Sequence, residues 1–204
     1  TDGTQKIIEN YRKKITKIIV KKDKNMWEAM NKGIDVSSGS IIVFLNSDDI
    51  FSKKALDYAA KYFKEDEKLD FLFGTVKKHN LRYGYYPHRA RWSFNFYTTH
   101  SIGFFIKKKS QIKIGYYNSK FLSADLDLFL RMILKFKLKG KASKKEEFFG
   151  KFRLGGFSSK ISYREHLKDL NKIRISNDQN RFYVNLIYCY KIIKNLKKYI
   201  LNRH

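Results

Sequence analysis

The sequence predicts an α/β fold: a mainly parallel sheet flanked by helices, with a helical extension at the C-terminus. Three observations carry this. Short β-branched or aromatic runs alternate with segments of helical period, the pattern of βαβ units. One of those runs, IIVFL at 41–45, is continuously apolar, as a strand covered on both faces must be. From residue 159 onward the chain reads as two basic amphipathic helices.

Taken in order, Ile7, Ile8 and Tyr11 give residues 4–14 a helical stripe, with Thr1 or Asp2 as its cap. The β-branched TKIIV at 16–20 predicts a strand. Met26, Trp27, Met30 and Ile34 return to helical spacing over 26–36, ended by Ser37-Ser38-Gly39. After the strand at 41–45, Ser52 opens a helix with Leu56, Ala59, Ala60 and Phe63 on one face. Strands are predicted at 69–76, 103–107 and 146–154, and a helix capped by Ser123 at 123–136. The stretch 79–103, rich in Tyr, His and Arg and broken by Gly84 and Pro87, has no clear period. Helices at 159–176 and 180–202 complete the chain.

The 204 residues are 43% hydrophobic and 16% aromatic, which supports a packed core and excludes a disordered or collagen-like chain. The formal net charge of +25 favours an anionic partner: nucleic acid, an acidic membrane surface or a phosphorylated substrate. The 34 Lys against 10 Arg weigh against direct base readout, which leans on Arg, and coding bias accounts for much of the charge equally well. Cys189 is the sole cysteine, so an internal disulfide and a Cys-based zinc site are excluded. No run of about 18 uncharged apolar residues is present.

Two acidic elements carry the candidate chemistry. In FLNSDD (44–49) a buried strand ends in two adjacent carboxylates. Ligands of open α/β sheets bind beyond strand carboxyl ends, and neighbouring carboxylates ionise together most easily beside a cation. A hard divalent ion with oxygen ligands, Mg²⁺ or Mn²⁺, suits such a place, and so does a plain turn leading into a helix. In SADLDLFLR (123–131), Asp125 and Asp127 are two apart and cannot face the same way on a helix. One can enter a site while the other caps or faces solvent.

The chain resembles the family 2 glycosyltransferases, inverting enzymes of GT-A fold. The resemblance rests on six segments in order: TDGT, DKNMWEAMNKGI (23–34), GSIIVFLNSDDIF (39–51), HSIGFFIKK (100–108), SADLDLFLRM (123–132) and FRLGGFSS (152–159). It implies transfer of a sugar from a nucleotide diphosphate donor to an acceptor hydroxyl. Residues 1–158 would form a GT-A-like catalytic domain, incomplete at its N-terminus because the family has a strand and a loop upstream of TDGT. Residues 159–204 would be the basic C-terminal helices. Asp48 would hold the divalent metal, with Asp49 supporting it or meeting the sugar, and Asn46 stands where many relatives carry the first acid of the DXD motif. Asp23 and Asn31 would sit near the nucleotide. Asn25 replaces a common glycine and tolerates a left-handed backbone. Asp125 matches the general base, with Asp127 the second candidate. His100, Trp92 and Arg153 would line the acceptor side or simply pack.

The tail 179–204 has six Lys or Arg, no acid and five Phe or Tyr. It suits either a helix packed on the domain or peripheral contact with an anionic membrane. A saccharide or lipid-linked acceptor, handled in the cytoplasm at the inner face of the cell membrane, is the corresponding expectation. The alternatives are an inactive fragment or scaffold of the same fold and a non-catalytic basic protein binding nucleic acid. The absence of a recognised binding module argues against specific nucleic-acid recognition.

Overall fold

The computed structural model describes residues 2–93, 96, 99, 101–153 and 161–201. Its centre is a four-stranded sheet of order β1-β6-β3-β7, formed by Ile41–Ile42 (β1), Phe104–Lys107 (β6), Phe71–Phe73 (β3) and Gly140–Ala142 (β7). β3 and β7 pair in parallel, whereas β6 runs antiparallel to both β1 and β3. Three of the four strands therefore point the same way around one reversed strand. A second sheet of order β2-β8-β4-β5 is built from Ile50–Phe51 (β2), Phe148–Lys151 (β8), Thr75–Lys77 (β4) and Leu81–Arg82 (β5). Only its β4–β8 pair is parallel.

Alternation along the central strands divides the core into two layers. Phe71, Phe73, Phe104 and Ile106 face one cluster, with Trp27, Met30 and Ile34 of helix α2 (Met26–Val36) and Leu126 and Phe129 of helix α5 (Ala124–Leu130). Leu170 and Ile173 of helix α6 (Tyr163–Ser176) join the same cluster. Leu72 and Phe105 face the other, with Ala55, Ala59 and Phe63 of helix α3 (Ala55–Glu65). Both faces of the sheet are thus covered, which is why its strands read as continuous apolar runs. The predicted strand 69–76 changes sheets at Gly74, where a Cβ would sit 2.4 Å from the Phe149 ring, so only glycine lets the two backbones approach.

Several elements depart from the sequence prediction. Residues 16–20 make no sheet pairing among the described residues, and Val20 is 70% exposed. Strand propensity there is unanswered by any neighbouring backbone. The predicted strand 41–45 pairs only at Ile41–Ile42. Helix α1 stops at Asn10 and buries none of its residues (Thr4–Asn10). The short strands β2, β5 and β7 and helix α4 (Lys108–Ile114) lack a legible period. The predicted helix 123–136 continues from α5 as a π-helical turn over Arg131–Lys135. The last predicted helix divides into α7 (Arg181–Lys194) and α8 (Leu196–Ile200).

Gly140 tests the packing directly. A Cβ there would lie 2.0 Å from the ring of Phe71, a fully buried side chain enclosed by Phe73, Phe104 and Tyr85. Gly140→Ala is expected to lower stability by about 1–3 kcal/mol through overpacking, read as a lower urea midpoint. An unchanged midpoint would show that Phe71 is free to move aside.

Candidate active site

After β1 the chain leaves the sheet and turns, with the Asp49 N–H donating to the Asn46 carbonyl at 3.1 Å. Asp49 is 7% exposed. One carboxylate oxygen accepts from Asn46 Nδ2 at 3.2 Å and Ser101 Oγ at 3.5 Å, and the other accepts the Arg153 N–H at 3.2 Å. Asn46 Nδ2 also donates to Ser101 Oγ at 2.9 Å. The β2–β8 pairing builds this arrangement, because Asp49 immediately precedes β2 and Arg153 follows β8 by two residues. Burial pushes the Asp49 carboxyl above the ordinary carboxylate range; the Arg153 N–H opposes the shift, and the neighbouring Asp48 charge adds to it. Asp48 is half-buried and has no hydrogen-bond or ion-pair partner among the described residues.

The donor set fits a hard divalent cation. It offers two adjacent carboxylates and an amide, all oxygen-bearing, and leaves coordination positions for phosphate oxygens, the usual arrangement for Mg²⁺. No cluster of three His, Cys, Asp or Glu side chains suited to a metal occurs among the described residues. Phosphate ligands would therefore have to complete the shell.

The two acids of α5 have different surroundings. Asp127 is buried and accepts from Arg131 Nε at 3.0 Å and Arg131 Nη2 at 2.9 Å, and from Asn177 Nδ2 at 2.8 Å. Arg131 also donates to the carbonyls of Ile114 and Tyr116. Asp127 thus ties α5 to the end of α6 and to the loop before it, at the edge of an open cleft of about 350 Å³. Asp125 accepts the Leu126 N–H at 2.9 Å and interacts with its own N–H, and has no cation partner among the described residues. Burial raises its pKa, and the Asp169 charge raises it further. Tyr117, whose hydroxyl pKa is raised by burial and by the Asp125 charge, stacks on Trp27 at 5.3 Å and meets Phe44 edge-on at 6.0 Å. Phe44 lies two residues before Asn46, so this aromatic column joins the two acidic elements.

The remaining predicted residues divide. Asp23 is ion-paired to Lys32. Asn31 exchanges two hydrogen bonds of 2.9 Å with the backbone of Tyr117, so it fixes the aromatic column and its amide is already engaged. Asn25 is extended (φ −158°), not left-handed; its side chain caps α2 by accepting from the N–H groups of Trp27 and Glu28. Arg153 contributes its N–H to Asp49 while its side chain is exposed. Trp92 is 58% exposed. His100 and the Gly155-Gly156 turn lie outside the described residues. Ser123 makes no side-chain cap.

Sequence reasoning missed Ser101, Tyr117 and the polar residues of α6. Asp169 accepts the N–H groups of Leu122 at 3.1 Å and Ser123 at 2.8 Å. Arg174, 1% exposed, donates to the carbonyls of Ala90 at 2.9 Å and Ser93 at 2.6 Å, and so anchors the segment that carries Trp92. The available signal was charge on the apolar face of a helix: Asp169 is four residues before Ile173, and Arg174 four after Leu170.

The α/β fold is shared with glycosyltransferase structures of GT-A-like fold. The model for the family described as glycosyl transferase family 2 matches residues 1–136, and the chain belongs to that family. An uncharacterized glycosyltransferase of Methanocaldococcus jannaschii, MJ1057, is 24% identical over 92% of this chain and 69% of its own length. A PGL/p-HBAD biosynthesis glycosyltransferase of Mycobacterium bovis is 32% identical over 65 residues, 30% of this chain and 25% of that protein. Among solved structures, S. aureus TarS 1–349 in complex with UDP-GlcNAc superposes with a TM-score of 0.64 at 16% identity, over 92% of this chain and 58% of that one. The mannosyltransferase PcManGT of Pyrobaculum calidifontis, in complex with GDP-Man and Mn²⁺, gives a TM-score of 0.55 at 12% identity, over 96% and 52%. The chain therefore spans little more than half the length of these solved neighbours.

The contrast between the two α5 acids is measurable. Asp127→Ala leaves the partly buried Arg131 without its carboxylate and is expected to cost about 3 kcal/mol, the lower end for breaking a buried pair. Asp125→Asn removes a charge that burial disfavours, so its melting temperature at neutral pH should equal or exceed that of the native chain. The reverse ranking would mean that Asp125 is the structural acid.

Proposed function

We propose that this protein transfers a sugar from a nucleotide diphosphate-sugar donor to an acceptor hydroxyl with inversion. The observation that carries the proposal is Asp125: a desolvated carboxylate with no cation partner, joined through Tyr117 and Phe44 to a second acidic element suited to a metal and diphosphate. The printed ligands of the structural neighbours, UDP-GlcNAc and GDP-Man with Mn²⁺, support such a donor.

In this reading Asp48 and Asp49 hold the divalent ion, with the Asn46, Ser101 and Arg153 donors keeping Asp49 in place. The bound ion supplies positive charge that stabilises the departing nucleotide diphosphate. Asp125 accepts the proton of the acceptor hydroxyl as that oxygen bonds to the anomeric carbon and the bond from that carbon to the phosphate oxygen breaks. Attack from the face opposite the leaving group inverts the centre. A carboxylate whose pKa is raised is a stronger base. Asp127, ion-paired to Arg131 and bonded to Asn177, is assigned the structural role in this reading.

The reading extends to the surroundings. α7 and α8 present Phe182, Tyr183, Leu186, Tyr190, Ile193, Leu196 and Ile200 as an exposed stripe, with Lys194, Lys197 and Lys198 beside it. No helix among the described residues is long and apolar enough to cross a membrane. An amphipathic basic face of this kind suits peripheral contact with an anionic bilayer, which would bring a lipid-linked or saccharide acceptor to the site at the cytoplasmic face. That use fits cell-surface polysaccharide or glycolipid synthesis. Sedimentation with vesicles containing phosphatidylglycerol, and not with phosphatidylcholine alone, tests the contact; equal behaviour with both would count against it.

The central test is kinetic. Asp125→Asn is expected to lower kcat by roughly 10²- to 10⁴-fold while donor affinity stays near native. The native kcat should fall as pH drops through the raised pKa of Asp125, so its acid limb should lie above the ordinary Asp value of about 3.9. Full turnover by the Asn variant would remove Asp125 from the chemistry.

A further inference from the structure

α6 carries an acid that the reaction as described leaves unused. Asp169 is 7% exposed, has no ion-pair partner among the described residues, and spends both carboxylate oxygens on backbone N–H groups, those of Leu122 and Ser123. These two residues lead directly into α5, and Asp125 follows Ser123 by two positions. The cap expected of the Ser123 side chain is absent. Its hydroxyl instead lies 3.3 Å from Nδ1 of His166, on the same helix as Asp169. The entry to α5 is therefore held from outside, by α6, and the same carboxylate that holds it stands close enough to Asp125 to oppose its ionisation.

We propose that Asp169 is a positioning residue for sugar transfer: by clamping the Leu122 and Ser123 N–H groups it aims Asp125 at the acceptor hydroxyl. This rests on the assignment of Asp125 as the base. A carboxylate accepting two backbone N–H groups is held firmly in place, so the clamp on the entry to α5 is rigid. Asp125 then titrates in its field. The groups facing the pair are Tyr117 beside Asp125, with Arg131 acting on Tyr117, and His166 beside Asp169. Burial lowers the pKa of His166, Asp169 raises it, and Lys191 of α7 lowers it, so near neutrality the imidazole adds little positive charge to offset the carboxylates. Removing the Asp169 charge should make Asp125 easier to ionise and a weaker base.

The experiment compares Asp169→Asn, Asp169→Glu and Asp125→Asn in the full chain, by steady-state kinetics across pH with a nucleotide-sugar donor. Asp169→Asn is expected to lower kcat by about 10- to 100-fold, the scale of a base misplaced by about 1 Å. It should leave the donor KM unchanged and move the acid limb of kcat to lower pH. Asp169→Glu, which keeps the charge, should return the acid limb to its native position. A loss of kcat with an unmoved acid limb would reduce Asp169 to a structural cap and overturn the proposal, as would native kcat in Asp169→Asn. If Asp125→Asn keeps native turnover, the base assignment fails instead, and the two failures are distinct. Should Asp169→Asn not fold, carboxyl NMR titration of the unaltered chain decides. The proposal requires Asp125 to titrate above the ordinary carboxylate range; titration at the ordinary value would overturn it.

Discussion

A carboxylate withdrawn from water without a cation beside it is held against its own solvation energy, and this chain does so twice. Asp49 is surrounded by an amide, a hydroxyl and a backbone N–H, with a second acid next to it in sequence. Asp125 has backbone N–H groups but no cation beside it among the described residues, and a like charge behind it. Desolvation of an ionised acid is unfavourable unless it is compensated, so the surrounding fold has to enforce both positions. The rest of the architecture can be understood as the means of doing so.

For Asp49 the enforcement is the short antiparallel β2–β8 pair, which fixes the turn at 46–49 against the strand end at Arg153. For Asp125 it is the packing of α5 between the central sheet and α6. Phe129 meets Phe73 and Phe104, with ring centroids 5.2 Å and 4.8 Å apart, while Leu170 and Ile173 close the other side. The Asp127–Arg131–Asn177 network then fixes the rotation of α5, so that Asp125 is turned away from it. The two acids of one short helix thus have separate surroundings, Asp127 bound to Arg131 and Asn177 and Asp125 without a cation partner among the described residues. The Trp27–Tyr117–Phe44 column spans the distance between the two elements with rigid rings.

What the sequence made legible follows from period. The alternation of helix and strand and the apolar face of α5 are local patterns, and each appears where its spacing predicts, whereas the apolar run at 41–45 pairs only at Ile41–Ile42 and leaves Leu45 52% exposed. The α/β class could be read on that basis, and the family from its resemblance in six segments that include SADLDLFLRM and GSIIVFLNSDDIF. Residues whose role depends on a distant partner were not legible. TKIIV has strand propensity, but no neighbouring strand pairs with it among the described residues. Asn31 resembles a ligand-binding amide and is spent on Tyr117. Ser123 has the chemistry of a cap, yet the N–H groups at the entry to α5 go to Asp169, 46 and 47 residues away. Propensity is silent about contacts of that range. The polar residues of α6 were visible only as interruptions of an apolar face.

The claim on which the rest turns is that Asp48 and Asp49 form the pole where a divalent ion and a nucleotide diphosphate meet. Paramagnetic broadening by Mn²⁺ tests it most directly, on the full chain with UDP or GDP added and amide signals followed by NMR. The account predicts broadening centred on residues 46–49, Ser101 and Arg153, dependent on the nucleotide, with the amides around Asp127 and Arg131 spared. Broadening centred elsewhere, or none at saturating nucleotide, would contradict it.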